Sequence, residues 1–381
     1  MWNRGPRGGD GRDFFWIAGD YLLSTLKIGI YIEFQSDYEM IDKEKLAQTA
    51  EEIKNYFSPI ELDEYEAETG VFSEDFREIY PIDFEGNIFA IDGSNVVVFD
   101  LGNVVLNHIR AGYVVYHGTE WQKTVITYDD LFTANEENYS QQFDIDLKEI
   151  FNLDGPFKIS KKEEELDRIS TFFRDLQEYV ALYKAVKDAK SKDIILYDGS
   201  FVLWRDPYYV EVLKQIFEEA KRKNVDILGI SKSSKLHLSS RISKPLVRST
   251  DYIGSSLITD KPWYVELSGK KPIRRESWPG RTYVSKFHQR STHAFRIDAP
   301  EHVIDHIELA LRYVSAYSRS AESLGYPHAL FRAHQDIMIP IHENKFIKLS
   351  LFETLRSKGL TEQQIRCALN YHEILDVLRR K

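Results

Sequence analysis

The stretch 193-DIILYDGS-200 decides the fold. Four apolar residues in a row, Ile194 to Tyr197, end at Asp198-Gly199-Ser200 and read as a strand buried on both faces. Residues 210–223 then show apolar positions at helical spacing, and residues 226–230 form a second apolar run. Strand, amphipathic helix and strand in this order predict a βαβ unit with two parallel strands. Upstream, residues 163–189 carry the strongest helical pattern in the chain. There Leu166, Ile169, Phe172, Phe173, Leu176, Val180, Leu182 and Tyr183 recur at three- and four-residue steps.

Further upstream, residues 87–91 lead into a first Asp92-Gly93-Ser94, followed by apolar runs at 95–101, 104–109 and 111–115. This reads as a β-meander with turns at Gly93, Gly102 and Gly112. Residues 116–160 are aromatic and acidic, with a strand over 124–128, and look like an insertion. Residues 42–56 read as an amphipathic helix, and residues 61–80 as an acidic, solvated connector. Downstream, the basic stretch 235–290 leads to strands at 263–267, 283–287 and 293–297. A helix follows over 301–323, and Gly325-Tyr326-Pro327 breaks it. The tail holds one or two helices, with a capping start at Thr361.

The chain has 381 residues, 43% of them hydrophobic and 13% aromatic, which excludes wholesale disorder. No apolar run is long enough to span a membrane. The N-terminal stretch does not read as a signal peptide. The single cysteine, Cys367, excludes an intrachain disulfide and any multi-cysteine metal site. These features lead to the expectation of a cytoplasmic protein. The net charge of −10 hides a reversal of sign. Residues 1–91 hold 8 Lys/Arg against 20 Asp/Glu, whereas residues 221–290 hold 16 against 5. Such a field can steer a polyanion to one face, although two unrelated surface biases would give the same count.

Asp92 and Asp198 each close an apolar strand and each precede Gly-Ser. A carboxylate there is costly unless paired or bound to a cation. Two such ends side by side would make a hard-oxygen site for Mn²⁺ or Mg²⁺. Taken singly, either Asp-Gly-Ser is an ordinary turn. Glu178, near the apolar side of helix 163–189, is a third candidate, with Glu163, Glu164 and Glu165 as rivals. Lys232 directly follows the strand of the βαβ unit, where parallel sheets build their sites. His334 and Asp336 would share one face if residues 332–337 were a strand, and His334 is a candidate ligand or proton carrier.

Taken in order, the sequence runs FAIDGS, a Glu-bearing helix, IILYDGS, GISKSSKL and LGYPHALFRAHQD over about residues 84–345. This set resembles the NurA family of nucleases. The resemblance implies an RNase H-like core: a mixed α/β sheet flanked by helices, with an N-terminal extension and a helical C-terminal tail. The expected divisions are an acidic region 1–80, a nuclease domain 81–345 with an insertion at about 110–165, and a tail 346–381. It implies a Mn²⁺-dependent single-strand endonuclease and 5′–3′ exonuclease, acting in DNA end resection. It also implies a homodimer and a hexameric HerA-type translocase as partner. Carried over by motif, Asp92, Glu178, Asp198 and His334 are the metal ligands, and Lys232 assists.

Arg241, Lys244, Arg248, Arg274 and Arg275 in the basic stretch would hold the DNA backbone without reading its sequence. Lys270, Lys271, Arg281 and Arg290 would add to them. Trp263, Tyr264, Trp278, Tyr283 and Phe287 are interleaved there, to stack unpaired bases or to build core. Two other readings stand beside this one: a catalytically inert DNA-binding or translocase-docking subunit, and a ribonuclease or nucleotidyl-transfer enzyme on the same core.

Overall fold

A computed structural model describes residues 42–135, 139–157, 166–201, 207–238, 244–270 and 280–368. The chain divides into two units, Met1–Asn55 and Tyr56–Lys381. The described part of the first is the start of helix α1, Lys43–Phe57, with exposed side chains over 43–54.

The second unit is built on one mixed sheet. After α2 (Leu62–Thr69) come β1 (Arg77–Glu78), β2 (Asn87–Asp100), β3 (Val104–His117) and β4 (Glu120–Asn135). Helices α3 (Tyr139–Phe151) and α4 (Leu166–Asp188) precede β5 (Ile194–Tyr197), α5 (Pro207–Lys223) and β6 (Asp226–Ser231). Then follow α6 (Leu246–Leu257), β7 (Trp263–Glu266), β8 (Gly280–Lys286) and β9 (Phe295–Pro300). Four helices end the described chain: α7 (Ile307–Ala316), α8 (His328–Ile337), α9 (Ile341–Ser357) and α10 (Glu362–Ala368). The strand order is β1-β7-β8-β9-β6-β5-β2-β3-β4. The central β2, β5 and β6 are parallel, and the two flanks are antiparallel.

Period-two alternation divides the central strands between two cores. Phe89, Ile91, Ile195 and Tyr197 face helices α4 and α5 and pack with Phe173, Leu176 and Ile216. Ile88, Ala90, Ile194 and Leu196 face the other way, against Leu311, Leu330 and Ala333 of α7 and α8. This double burial is why the 194–197 run is continuously apolar rather than alternating.

Several local expectations are corrected. The first Asp-Gly-Ser is not a turn: it lies inside β2, where Asp92, Gly93 and Ser94 pair with Gly112, Ala111 and Arg110 of β3. The runs 104–109 and 111–115 are one strand, and only Gly102, at φ 86°, makes a turn. The strand expected at 124–128 extends over all of β4, the third strand of the meander. The 301–323 helix is a short 3₁₀ segment followed by α7, which ends at Ala316. Residues 332–337 belong to α8, not to a strand. His334 and Asp336 therefore point in different directions, about 200° apart at 3.6 residues per turn.

Residues 61–80 are not a solvated connector. Ile60, Tyr65, Val71 and Phe76 pack with Leu246, Ile253, Trp263 and Val265 in a third core, while β1 pairs with β7. The acidic residues between them masked these few apolar anchors. Tyr65 is fully buried, and its hydroxyl lies 2.9 Å from Thr250 Oγ1. Tyr65→Ala is expected to lower unfolding free energy by about 3–5 kcal/mol in urea denaturation. A loss under about 1 kcal/mol would mean that α2 contributes little to this unit.

Candidate metal centre

The site forms where the parallel strands stop. Ile91 pairs with Tyr197, and Asp198 N donates to Ile91 O at 3.2 Å just beyond the last pair. Asp92, where β2 runs on past its parallel pairing, and Asp198, just beyond the end of β5, therefore lie side by side on the face covered by α8. Helix α8 brings in His334, whose Nδ1 is 2.9 Å from Asp92 Oδ2. One ligand atom from each of Asp92, Asp198 and His334 lies within 4.8 Å of the others. Lys232, just past β6, places Nζ 2.5 Å from Asp198 Oδ2.

Glu178 reaches the same strand ends from the opposite face and does not join that three-residue group. It is 4% exposed. Its Oε2 accepts from the Tyr197 hydroxyl at 2.8 Å, and Oε1 is 3.4 Å from Arg174 Nε. The rival residues 163–165 lie outside the described residues. Asp336 turns away from the site: it pairs with Arg332 and accepts from Thr124 Oγ1 at 2.5 Å.

The electrostatics are those of acids held out of water. Burial, and next the Asp92 charge, raise the Asp198 carboxyl above its ordinary range; Lys232 opposes them. Burial pushes Glu178 up to about 8, with Asp175 and Asp92 adding to the rise and Arg174 working against it. Tyr326, two residues before α8, is buried and directs its hydroxyl at Asp198 without a well-formed hydrogen bond. Burial and the two aspartates hold that hydroxyl far above the usual tyrosine range. Crowded carboxylates, an imidazole and a buried hydroxyl left over form a donor set suited to a hard divalent cation.

A second acidic group serves as a contrast. His108, Asp129 and Glu343 also place ligand atoms within 4.8 Å of one another. The Arg110 guanidinium sits among them, 3.1 Å from Asp129 and bonded to Glu343, while His108 Nε2 is 2.7 Å from Asp129. That cluster already contains its counter-charge; among the described residues, the Asp92 group has Lys232 at its rim.

Sequence reasoning assigned no role to Tyr326, Arg174 or Tyr197. Tyr326 stood inside the quoted Gly-Tyr-Pro, but nothing local says what its hydroxyl faces. The basic stretch is less open than its charge suggested. Lys244 donates to the carbonyls of Ser58 and Pro59, Lys270 pairs with Asp75, and Arg281 pairs with Glu266. Arg248 and Arg290 are exposed, whereas Arg241, Lys271, Arg274, Arg275 and Trp278 lie outside the described residues. Trp263, Tyr283 and Phe287 are core residues, and Tyr264 is half-buried.

Fold and site together define an α/β protein with a candidate cation centre of acidic side chains where the parallel pairing of its sheet stops. A family model, the NurA domain, matches residues 86–339, and the chain belongs to the NurA family. The chain resembles the crystal structure of the NurA nuclease from Sulfolobus solfataricus at 15% identity and a TM-score of 0.54, covering 85% of this chain and 99% of that one. It also resembles a second NurA crystal structure, at 12% identity and a TM-score of 0.50, covering 83% and 98%. No curated protein matches the sequence. Among the described residues, no helix is long and apolar enough to cross a membrane.

The raised Glu178 carboxyl has a measurable consequence. An ordinary Glu titrates near 4.5, so between that value and about 8 the folded chain holds a proton that the unfolded chain has lost. Stability of the metal-free protein therefore falls as pH rises through this window and levels off above it. The metal-free protein is expected to melt at higher temperature at pH 6 than at pH 8, and Glu178→Gln is expected to flatten that difference. Equal slopes in the two proteins would assign the protonation elsewhere.

Proposed function

We propose that this chain is a metal-dependent deoxyribonuclease. The observation that supports it most directly is the convergence of Asp92, Asp198 and His334, from two strands and a helix far apart in sequence, within 4.8 Å. In this reading the three hold Mn²⁺, or Mg²⁺ in its place, and Glu178 serves the same centre from the other face. Divalent cations bound there would polarise the scissile phosphate and acidify the attacking water.

The protein's own groups supply the rest. Lys232, partly exposed beside Asp198, offsets negative charge on the phosphoryl oxygens. The Asp92 carboxylate orients the His334 ring through Nδ1. Tyr326 places a neutral hydroxyl beside the carboxylates, where it can donate without adding charge. Exposed Arg248 and Arg290, with Arg241, Arg274 and Arg275, would hold the backbone through contacts that ignore base identity.

Family membership supports the finer reading: single-strand endonuclease and 5′–3′ exonuclease activity in DNA end resection, a homodimer, and a hexameric HerA-type ATPase as partner. Labelled single- and double-stranded DNA, incubated with and without Mn²⁺, tests the core of it. Cleavage is expected only with the metal, and Asp92→Asn or Asp198→Asn should slow it by about 100-fold or more while the fold is kept. Wild-type rates in either variant would refute the site assignment. Absence of cleavage, together with absence of a tight Mn²⁺ site, would favour an inert DNA-binding or docking subunit.

A further inference from the structure

We infer that Gly93 is a positioning residue: its missing side chain is the gap through which Glu178, on the far face of the sheet, is held against the strand ends that carry the aspartates. The inference rests on the reading that Glu178 serves the cation centre.

The backbone does not ask for glycine at this position. Gly93 lies within β2, paired with Ala111, and is not among the glycines of positive φ. A strand accepts alanine there on conformational grounds. Space is the obstacle. Alternation sends the Asp92 side chain toward α8, so a side chain at 93 would project toward α4. A Cβ built on Gly93 would lie 2.5 Å from Glu178 Oε1, 2.6 Å from its Cγ and 3.0 Å from its Cδ. Unrelated carbon and oxygen atoms do not approach so closely, so one of the two groups must move.

Glu178 has little room to withdraw. Its two oxygens are engaged by the Tyr197 hydroxyl and the Arg174 guanidinium. The Tyr197 ring is itself fixed, stacked on Phe201 at 5.1 Å and tilted against Tyr179 at 5.8 Å. Helix α4 behind it is locked by Phe173, Leu176 and Val180 in the core. Tyr197 and Arg174 thus clamp the carboxylate from one side, and the bare Cα of Gly93 lets it rest against the strand on the other. Asp92 is the adjacent residue, with its carboxylate on the opposite face. Acids thereby approach the same stretch of β2 from both faces of the sheet, and the glycine of the first Asp-Gly-Ser has a task different from that of a turn.

Gly93→Ala should displace the Glu178 carboxylate. Mn²⁺ binding to the full-length protein, followed by electron paramagnetic resonance of the free ion, should weaken about tenfold or more, and the Mn²⁺ concentration for half-maximal DNA cleavage should rise with it. The decisive comparison is the same substitution in a Glu178→Gln background. If Gly93 acts through the carboxylate, Gly93→Ala causes no further weakening there. If it matters only as a packing residue, the loss is the same in both backgrounds, and the inference is overturned.

Tyr197→Phe gives a second arm that keeps the ring. It should weaken Mn²⁺ binding when Glu178 is present and leave it unchanged in Glu178→Gln. Should Gly93→Ala fail to fold, the same substitution in a Glu178→Ala background decides: folding restored there supports the clash with Glu178, and folding still lost overturns the inference. A wild-type protein that neither binds Mn²⁺ nor cuts DNA would overturn the proposed function. A wild-type protein that does both, with Mn²⁺ affinity unaltered by Gly93→Ala and by Tyr197→Phe, would overturn only the role of Gly93.

Discussion

The parallel register of β2 against β5, continued one hydrogen bond past the last strand pair by Asp198 N donating to Ile91 O, fixes the position of both aspartates. A slip of one residue would turn Asp92 or Asp198 to the opposite face and exchange the apolar sets of the two cores. Because both cores are full, such a slip would force Ile88 and Ala90 against Phe173 and Leu176, and Phe89 and Ile91 against Leu330 and Ala333, in places shaped for other side chains. Packing of the whole sheet therefore enforces the closeness of two acids that repel each other.

Holding them there is unfavourable in the absence of a cation. Asp198 is raised by burial and by Asp92, and Glu178 by burial and by its acidic neighbours. Lys232 and Arg174 supply positive charge from the two faces but do not remove the shifts. The His108–Asp129–Glu343 cluster shows the alternative solution on the same sheet, with an arginine inserted among the acids. The two groups meet the same spacing limit and differ in counter-charge: an arginine ties the second together between the meander and α9, whereas the first keeps its acids crowded beside Lys232.

The sign reversal along the chain has a mixed meaning. Part of the acidic excess near the N-terminus meets part of the basic excess further on: Asp75 pairs with Lys270 and Glu78 with Lys261. Some charges that composition would assign to a nucleic-acid surface thus join β1 and the segment before it to β7 and its neighbours. Arg248 and Arg290 are exposed.

The sequence alone determined the features that depend on short-range pattern. The double-sided burial of 194–197, the βαβ unit, the long helix carrying Glu178 and the placing of Asp198 at a strand end were all legible from apolar periodicity and from where it stops. The ordered motifs also carried the family. The tertiary structure decided what periodicity does not encode. Whether Asp-Gly-Ser is a turn or a strand interior depended on β3 lying beside it. Whether 332–337 is helix or strand depended on α8 packing over Ala90 and Val114. That Tyr326 faces the aspartates, and that Gly93 must be small, follow from contacts between residues tens to hundreds of positions apart. A local sequence fixes the faces of its own helix or strand, but what each face meets is set by the packing of the whole sheet.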